Sequence, residues 1–428
     1  MSSPAESLAR SGRREDAWGS LDRFLRARLC QRLDALRGGQ LRLQDALGDV
    51  LLGEAPANQS GEALCPTLRV HDPVFYRMLA GSGSVGAGEA YMDGAWSCDD
   101  LVALVRLLVR NRELLDGVES GPAKLAGLAM RWLHAARRNT RSGSRRNIAA
   151  HYDLGNEFFR LFLDADLMYS SAMYASAGES LEVASKRKLQ RICDKLDLRA
   201  QDHLLEIGTG WGGMAIFAAR EYGCRVTTTT ISERQHALAS ERVRAAGLQD
   251  RITLLLRDYR DLEGSYDKLV SIEMVEAVGH QYLDGYFSKC ASLLAPDGLA
   301  LVQAITIEDH RYRQALDSVD FIKRHVFPGS FIPCVSVLAE SAARAGKLRL
   351  LSLEDFCESY AWTLREWRKR FMAKLDAARA LGLDERFLRM WEFYLAYCEG
   401  GFIERAISDV QMLLAPSGNR RPQYLPGL

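Results

Sequence analysis

Glycine recurs at 208, 210 and 212, directly after the apolar run His203–Ile207, and Glu206 sits near the end of that run. Such a turn lets backbone N–H groups approach a ligand with no Cβ in the way. A helical pattern follows from Met214 to Glu221. Strand, glycine turn and helix together describe a seat for a nucleotide-type cofactor. By itself the spacing Gly-x-Gly-x-Gly-Gly also fits a dinucleotide fold. The next strand argues against that: Thr230, Ser232 and Gln235 stand where a dinucleotide-binding chain places an acid for the ribose.

These residues must be held at the ends of strands. The pattern predicts strands at 203–207, 225–231, 252–257, 267–272 and 299–305, with helices at 181–196, 212–221, 233–246 and 281–294. Two further strands are expected near 348–353 and in the last twenty residues. The alternation predicts a doubly wound α/β sheet, whose ligands sit at the carboxyl ends of its strands. There lie Asp258 and Tyr259 after the third strand, Glu273 and Glu276 after the fourth, and Gln303 and Ile305 after the fifth. The insertion 308–345, rich in Phe and Val around Pro328-Gly329, is expected to form a lid.

Ahead of this half, a smaller, mainly helical accessory domain is expected over 1–120. It has helical periodicity over 21–52, a strand at 67–70, a helix at 73–79, a Gly/Ser loop at 81–88 and a helix over 99–115 capped by Asp99 or Asp100. Residues 121–147 read as a basic linker: from Lys124 to Arg146 there are seven Lys or Arg and no acid. A solvated face and contact with anionic headgroups both fit it. The catalytic half is expected over 148–428.

Composition excludes several classes. The chain has 428 residues, 47% hydrophobic and 26% charged, with net charge +1, so no global electrostatic case for nucleic acid arises. No apolar run reaches bilayer length, and the first residues lack signal-peptide order. The nine cysteines have no pairing or metal-ligand spacing, which predicts reduced thiols and no metal. A cytoplasmic protein peripheral at the inner membrane surface is the expected setting.

Ala150–Phe159 (AHYDLGNEFF) and Met168–Ala172 (MYSSA) resemble the entry segment of cyclopropane-fatty-acyl-phospholipid synthases and mycolic-acid methyltransferases. So do Leu204–Gly212, Thr230–Gln235, Val270–Glu276, Val326–Gly329, Tyr360–Trp367 and Tyr394–Phe402, in unbroken order over roughly 146–416. The first 120 residues look like the accessory domain of longer bacterial members, best at Gly88–Trp96.

The resemblance implies a seven-stranded class I (Rossmann-like) methyltransferase using S-adenosylmethionine, with an unsaturated phospholipid as its partner. It implies that Tyr169 and Ser170 close over the cofactor, and that Leu204, Glu206, Gly208, Gly210, Trp211 and Gly212 cradle its amino-acid part. Thr230, Ser232 and Gln235 then meet the ribose side, with Asp258 and Tyr259 near the adenine. Ser171, Glu276, Gln303, Ile305 and Tyr360 fall around a bicarbonate ion that acts as base in the family, and Cys398 falls on an active-site cysteine. Well-studied members carry cysteine and histidine where this chain has Ser171 and Gln303. Gln303 donates a hydrogen bond but cannot titrate. The product is therefore open between a cyclopropane and a methyl- or methylene-branched chain, and a saturated branch would need a reductase partner. A homodimer is open too. Rival readings are a methyltransferase on a soluble small molecule and a decayed lipid- or cofactor-binding protein. His151 opens the entry motif, His280 reads as surface, and the stripe Phe387, Trp391, Phe393, Tyr394 and Tyr397 reads as core or as an acyl-chain wall.

Overall fold

The computed structural model describes residues 18–55, 63–116 and 155–422. They form two compact units that interleave along the chain: Met1–Leu133, Ser318–Val326 and Leu375–Glu404 contribute to the first, and His134–Asp317, Phe327–Lys374 and Arg405–Leu428 to the second. The basic stretch 121–147 and His151 lie outside the described residues.

In the first unit, helical periodicity over 21–52 holds only for Ser20–Leu33. Beyond it the chain alternates with period two, burying Leu41 and Leu43, and folds into the hairpin β1 (Leu41–Asp45) and β2 (Gly48–Leu52). With β3 (Thr67–Val70) and β4 (Trp96–Cys98) it makes a four-stranded sheet in the order β2-β1-β3-β4, so helices share this unit with a sheet. The expected loop at 81–88 lies inside one helical segment, Val74–Met92, broken at Gly83 where φ is 57°. Asp100 caps Leu101–Arg110 by accepting from the Ala103 N–H.

The aromatic stripe lies on the Glu385–Ile403 helix and is core to this unit. Phe393 packs 5.5 Å from Tyr91 and 4.8 Å from Phe321 (ring centroids). Gly400 lets that helix close on Leu101–Arg110, since a Cβ there would lie 2.7 Å from Val105. Phe321 belongs to the expected lid. The rest of that insertion packs into the second unit, where Phe331, Leu338 and Ala342 join a core cluster with Phe287. Apolar residues of the insertion thus contribute to the core of each unit separately.

The second unit is the doubly wound sheet. Its strands are β5 (His203–Ile207), β6 (Arg225–Thr230), β7 (Ile252–Leu256), β8 (Tyr266–Ile272), β9 (Leu294–Ile307), β10 (Leu348–Asp355) and β11 (Ile407–Pro416), in the order β10-β11-β9-β8-β5-β6-β7. β5 to β9 run parallel, and β11 lies antiparallel to both β9 and β10. Each expected strand is present. Leu204 faces one core cluster, while Leu205 and Ile207 face the other. Strand order reverses between β5 and β8, which opens a crevice at their carboxyl ends.

Candidate active site

The turn after β5 has the expected shape. Gly208, Gly210 and Gly212 have φ of 101°, 53° and 87°, a region other residues avoid. The Gly208 and Thr209 N–H groups both donate to Thr229 O, at 3.1 and 3.0 Å, which ties the turn to β6. A Cβ at Gly210 would meet nothing within 4 Å, so the turn faces open space. These features fit an S-adenosylmethionine seat.

Several side chains expected to face that ligand are engaged within the protein. Thr228 Oγ1 donates to Glu206 Oε2 at 2.6 Å, and burial pushes that carboxyl up to about 8. Thr230 donates to Gln235 Oε1 at 2.8 Å, while Ser232 caps the following helix through the Gln235 N–H. Asp258 is paired with Arg260 at 2.7 Å, and Tyr259 lies 5.7 Å from Tyr286. Trp211 donates to Asn156 Oδ1 at 2.8 Å, Leu204 is fully buried, and Ser170 receives the Lys188 ammonium at 2.8 Å. Tyr169 lies among aromatic rings, 5.3 Å from Phe159 and 5.4 Å from Trp367.

The crevice beside β8 holds a cluster of acids. Its centre is Glu273, the first residue after the strand. Glu273 Oε1 accepts from the Ser171 N–H at 2.7 Å and from Gln303 Nε2 at 2.9 Å, and Oε2 accepts from the Tyr360 hydroxyl at 2.7 Å. Gln303 Nε2 also reaches Asp409 Oδ2 at 2.9 Å. Sheet register explains this convergence. Gln303 pairs with Ile272 on one side and with Gln411 on the other, and Asp409 stands two residues from Gln411 on the same strand face. Gln411 Nε2 donates to Gln303 Oε1 at 3.1 Å and is itself held by Lys195 at 2.9 Å, which fixes the Gln303 amide with its nitrogen toward the acids. The 171–174 segment is clamped to the Cys357–Met372 helix that carries Tyr360: the Ala172 and Tyr174 N–H groups donate to Thr363 and Ser359, each at 3.0 Å.

Electrostatics divide the acids by role. Gln303 Nε2 links Glu273 and Asp409, donating to each at 2.9 Å. Burial and the Glu273 charge push Asp409 well above the usual carboxylate range, which favours its protonated form. Burial raises Glu273 as well, yet Tyr360, the Ser171 N–H and the nearby Lys188 ammonium favour its anion. Glu276 accepts from the Ile305 N–H at 2.7 Å, while its Oε2 is buried without a partner. Burial and then the Glu273 charge raise it to about 8. Glu273 and Glu276 are half-buried as whole residues.

Raised carboxyls give a stability prediction. The contribution of Glu206 and Glu276 is complete below about pH 4.5, their ordinary value, and is lost as pH rises through about 8. Each shift corresponds to an upper bound of order 5 kcal/mol. Denaturant unfolding at several pH values should therefore show stability falling toward alkaline pH, with Glu206→Gln and Glu276→Gln each flattening the fall.

The family's sequence profile, described as mycolic acid cyclopropane synthetase, matches residues 139–412. The chain belongs to this family. It is 35% identical over 385 residues to the tuberculostearic acid methyltransferase UfaA1 of Mycobacterium tuberculosis, covering 86% of this chain and 88% of that protein. It is 34% identical over 370 residues to the cyclopropane-fatty-acyl-phospholipid synthase of Escherichia coli, covering 86% and 90%. Among solved structures, the mycolic acid cyclopropane synthase CmaA1 complexed with SAH and CTAB matches with a TM-score of 0.59 at 28% identity, over 63% of this chain and 97% of that one. As a member of the mycolic acid cyclopropane synthetase family, the protein is an S-adenosylmethionine-dependent lipid methyltransferase or cyclopropane synthase.

Within that family's pattern the structure brings Ser171, Gln303, Ile305, Tyr360 and Glu276 into one neighbourhood. Cys398 belongs to the first unit, and burial and the Asp320 carboxylate push its thiol up, so it is no activated thiolate. His280 is exposed, as expected. Sequence reasoning missed Glu273 as the hub, together with Asp409 and Lys188. The one available signal was the pair Glu273 and Glu276 at the end of a single strand. No helix among the described residues is long and apolar enough to cross a membrane.

Proposed function

We propose that the protein transfers the S-methyl carbon of S-adenosylmethionine to the double bond of an unsaturated phospholipid acyl chain, working peripherally at the cytoplasmic face of a membrane. One observation carries this reading: an open glycine turn and a cluster of buried acids stand after β5 and β8, the two strands that flank the switch point of one sheet. Support comes from the Escherichia coli relative, whose name specifies fatty-acyl-phospholipid.

An alkene is a weak nucleophile, so a sulfonium methyl must be held in line with it at near-attack distance. The glycine turn would seat the donor, which when bound supplies an electrophilic methyl group. The remaining work falls to the chain. Attack by the alkene leaves a cation on the acyl chain. The faces of Tyr169 and Trp367 and the acid cluster stabilise positive charge there. Loss of a proton from the transferred methyl closes a cyclopropane. Loss of a proton from that same methyl, after a 1,2-hydride shift has moved the cation to the methyl-bearing carbon, gives a methylene branch.

The branched product is the second reading. Gln303, where cyclopropane-forming members of the resemblance carry histidine, favours it, as does the relative named a methyltransferase. Mass spectrometry of phospholipid acyl chains after expression in a host lacking such an enzyme tests both. A gain of one CH₂ unit is expected, and fragmentation separates ring from branch. An unchanged acyl profile defeats the proposal.

Membrane contact is assigned to the basic stretch. Neutralising Arg137, Arg138, Arg141, Arg145 and Arg146 should weaken binding to anionic vesicles by about 100-fold or more, since each basic residue near such a surface contributes about 1 kcal/mol. The loss should shrink in high salt. Vesicle sedimentation showing equal binding removes this assignment.

A further inference from the structure

We propose that Glu273 is the proton acceptor of this reaction and that its own carboxylate takes the place of the bicarbonate ion used elsewhere in the family. The inference rests on the reading of the chain as an acyl-chain methyltransferase. The residues expected to hold the ion do not fit it. The Ser171 N–H, Gln303 and Tyr360 donate to Glu273, at 2.7, 2.9 and 2.7 Å. The Ile305 N–H donates to Glu276 at 2.7 Å. Every donor assigned to a free oxyanion is thus engaged by a carboxyl group of the chain. An added anion would also lie against the Glu273 carboxylate, which repels it and already occupies the donors.

The backbone supports the same conclusion. Glu273 has φ of 46°, in the left-handed region that a non-glycine residue rarely adopts. Its N–H donates to Gln303 O at 2.9 Å, which holds that conformation in place. Strain of this kind persists where surrounding structure enforces it and gathers at functional sites. The residue as a whole is half-buried and stands at the carboxyl end of β8, where ligands of such sheets sit. Asp409 and Gln303 are positioning residues that aim it.

The step balances without a further reactant. The alkene π pair forms the new C–C bond to the methyl carbon, and the S–C pair returns to sulfur. A lone pair on Glu273 then takes a proton from the transferred methyl, either directly or after a 1,2-hydride shift has moved the cation to the methyl-bearing carbon. The released C–H pair closes the ring or forms the methylene double bond, and the proton later passes from Glu273 to water.

The test uses the full chain. Purified protein, S-adenosylmethionine and vesicles of unsaturated phospholipid are compared in carbon-dioxide-free and bicarbonate-supplemented buffer, while ¹³C-labelled bicarbonate binding is followed by NMR. The wild type should turn over equally in both buffers and bind no labelled ion. Glu273→Gln should lose at least about 100-fold in kcat while still binding the donor in a calorimeter. Glu273→Gly should acquire bicarbonate binding and recover turnover when the ion is added. Bicarbonate-dependent wild-type turnover, labelled ion bound to the wild type, or full activity in Glu273→Gln overturns the proposal. If the wild type leaves phospholipid unmodified, the functional reading fails, and the labelled-ion arm still decides whether Glu273 fills the anion site.

Discussion

Gly208→Val should abolish useful binding of S-adenosylmethionine. Gly208 has φ of 101°, and a Cβ there would lie 3.3 Å from Met274 Cγ. A β-branched residue resists both the dihedral and the contact, so the turn must rearrange. The N–H groups of Gly208 and Thr209, bonded to Thr229 O, would move with it. A penalty of about 3 kcal/mol or more translates into a loss of at least about 100-fold in affinity. Calorimetric titration with the donor measures it, and circular dichroism checks that the fold survives. Gly178→Ala is the control, because a Cβ there meets nothing within 4 Å and φ is not positive. Equal affinity in Gly208→Val and the wild type would show that the donor does not use this turn.

Lys188→Met should affect both stability and the reaction. Lys188 is fully buried, donates to Ser170 Oγ at 2.8 Å and faces Glu273, Asp409, Glu206 and Asp164. Burial alone pulls its pKa down, and those four acids oppose that pull. Removing one member of a buried charge group while leaving the rest costs about 3–5 kcal/mol. Denaturant melts should show that loss. Glu273 would lose the cation that favours its anion, so the acid limb of the pH–rate profile should move to higher pH. Lys188→Arg should recover part of the charge effect but little stability, since the cavity is shaped for an ammonium. An unshifted profile in a folded Lys188→Met variant would separate Lys188 from the ionisation of Glu273.

Parts of the site could be read along the chain because they are local. The strand His203–Ile207, the three glycines and the following helix lie within twenty residues, so period and turn chemistry specify them together. Ser171, Glu276, Gln303, Ile305 and Tyr360 followed from motif resemblance, and folding does gather them. Glu273 escaped because two acids near one strand end look equivalent in a sequence. Its left-handed backbone, which follows from contacts with Gln303, distinguishes them. The expected helix over 21–52 rests on apolar residues up to Leu33, whereas Leu41 and Leu43 recur every second residue, the period of the strand they form.

The order of strands and helices, the glycine turn and the family are properties of the amino-acid sequence alone, since each rests on neighbours a few residues apart or on runs of motif. Tertiary structure decided which acid receives the donors and which keeps a proton. Asp409 and Gln411 reach the site through antiparallel pairing with β9, and Lys188 through the buried face of its helix. Pairing register and shared desolvation act between residues as far apart as Lys195 and Gln411, 216 positions along the chain, and no local pattern encodes them.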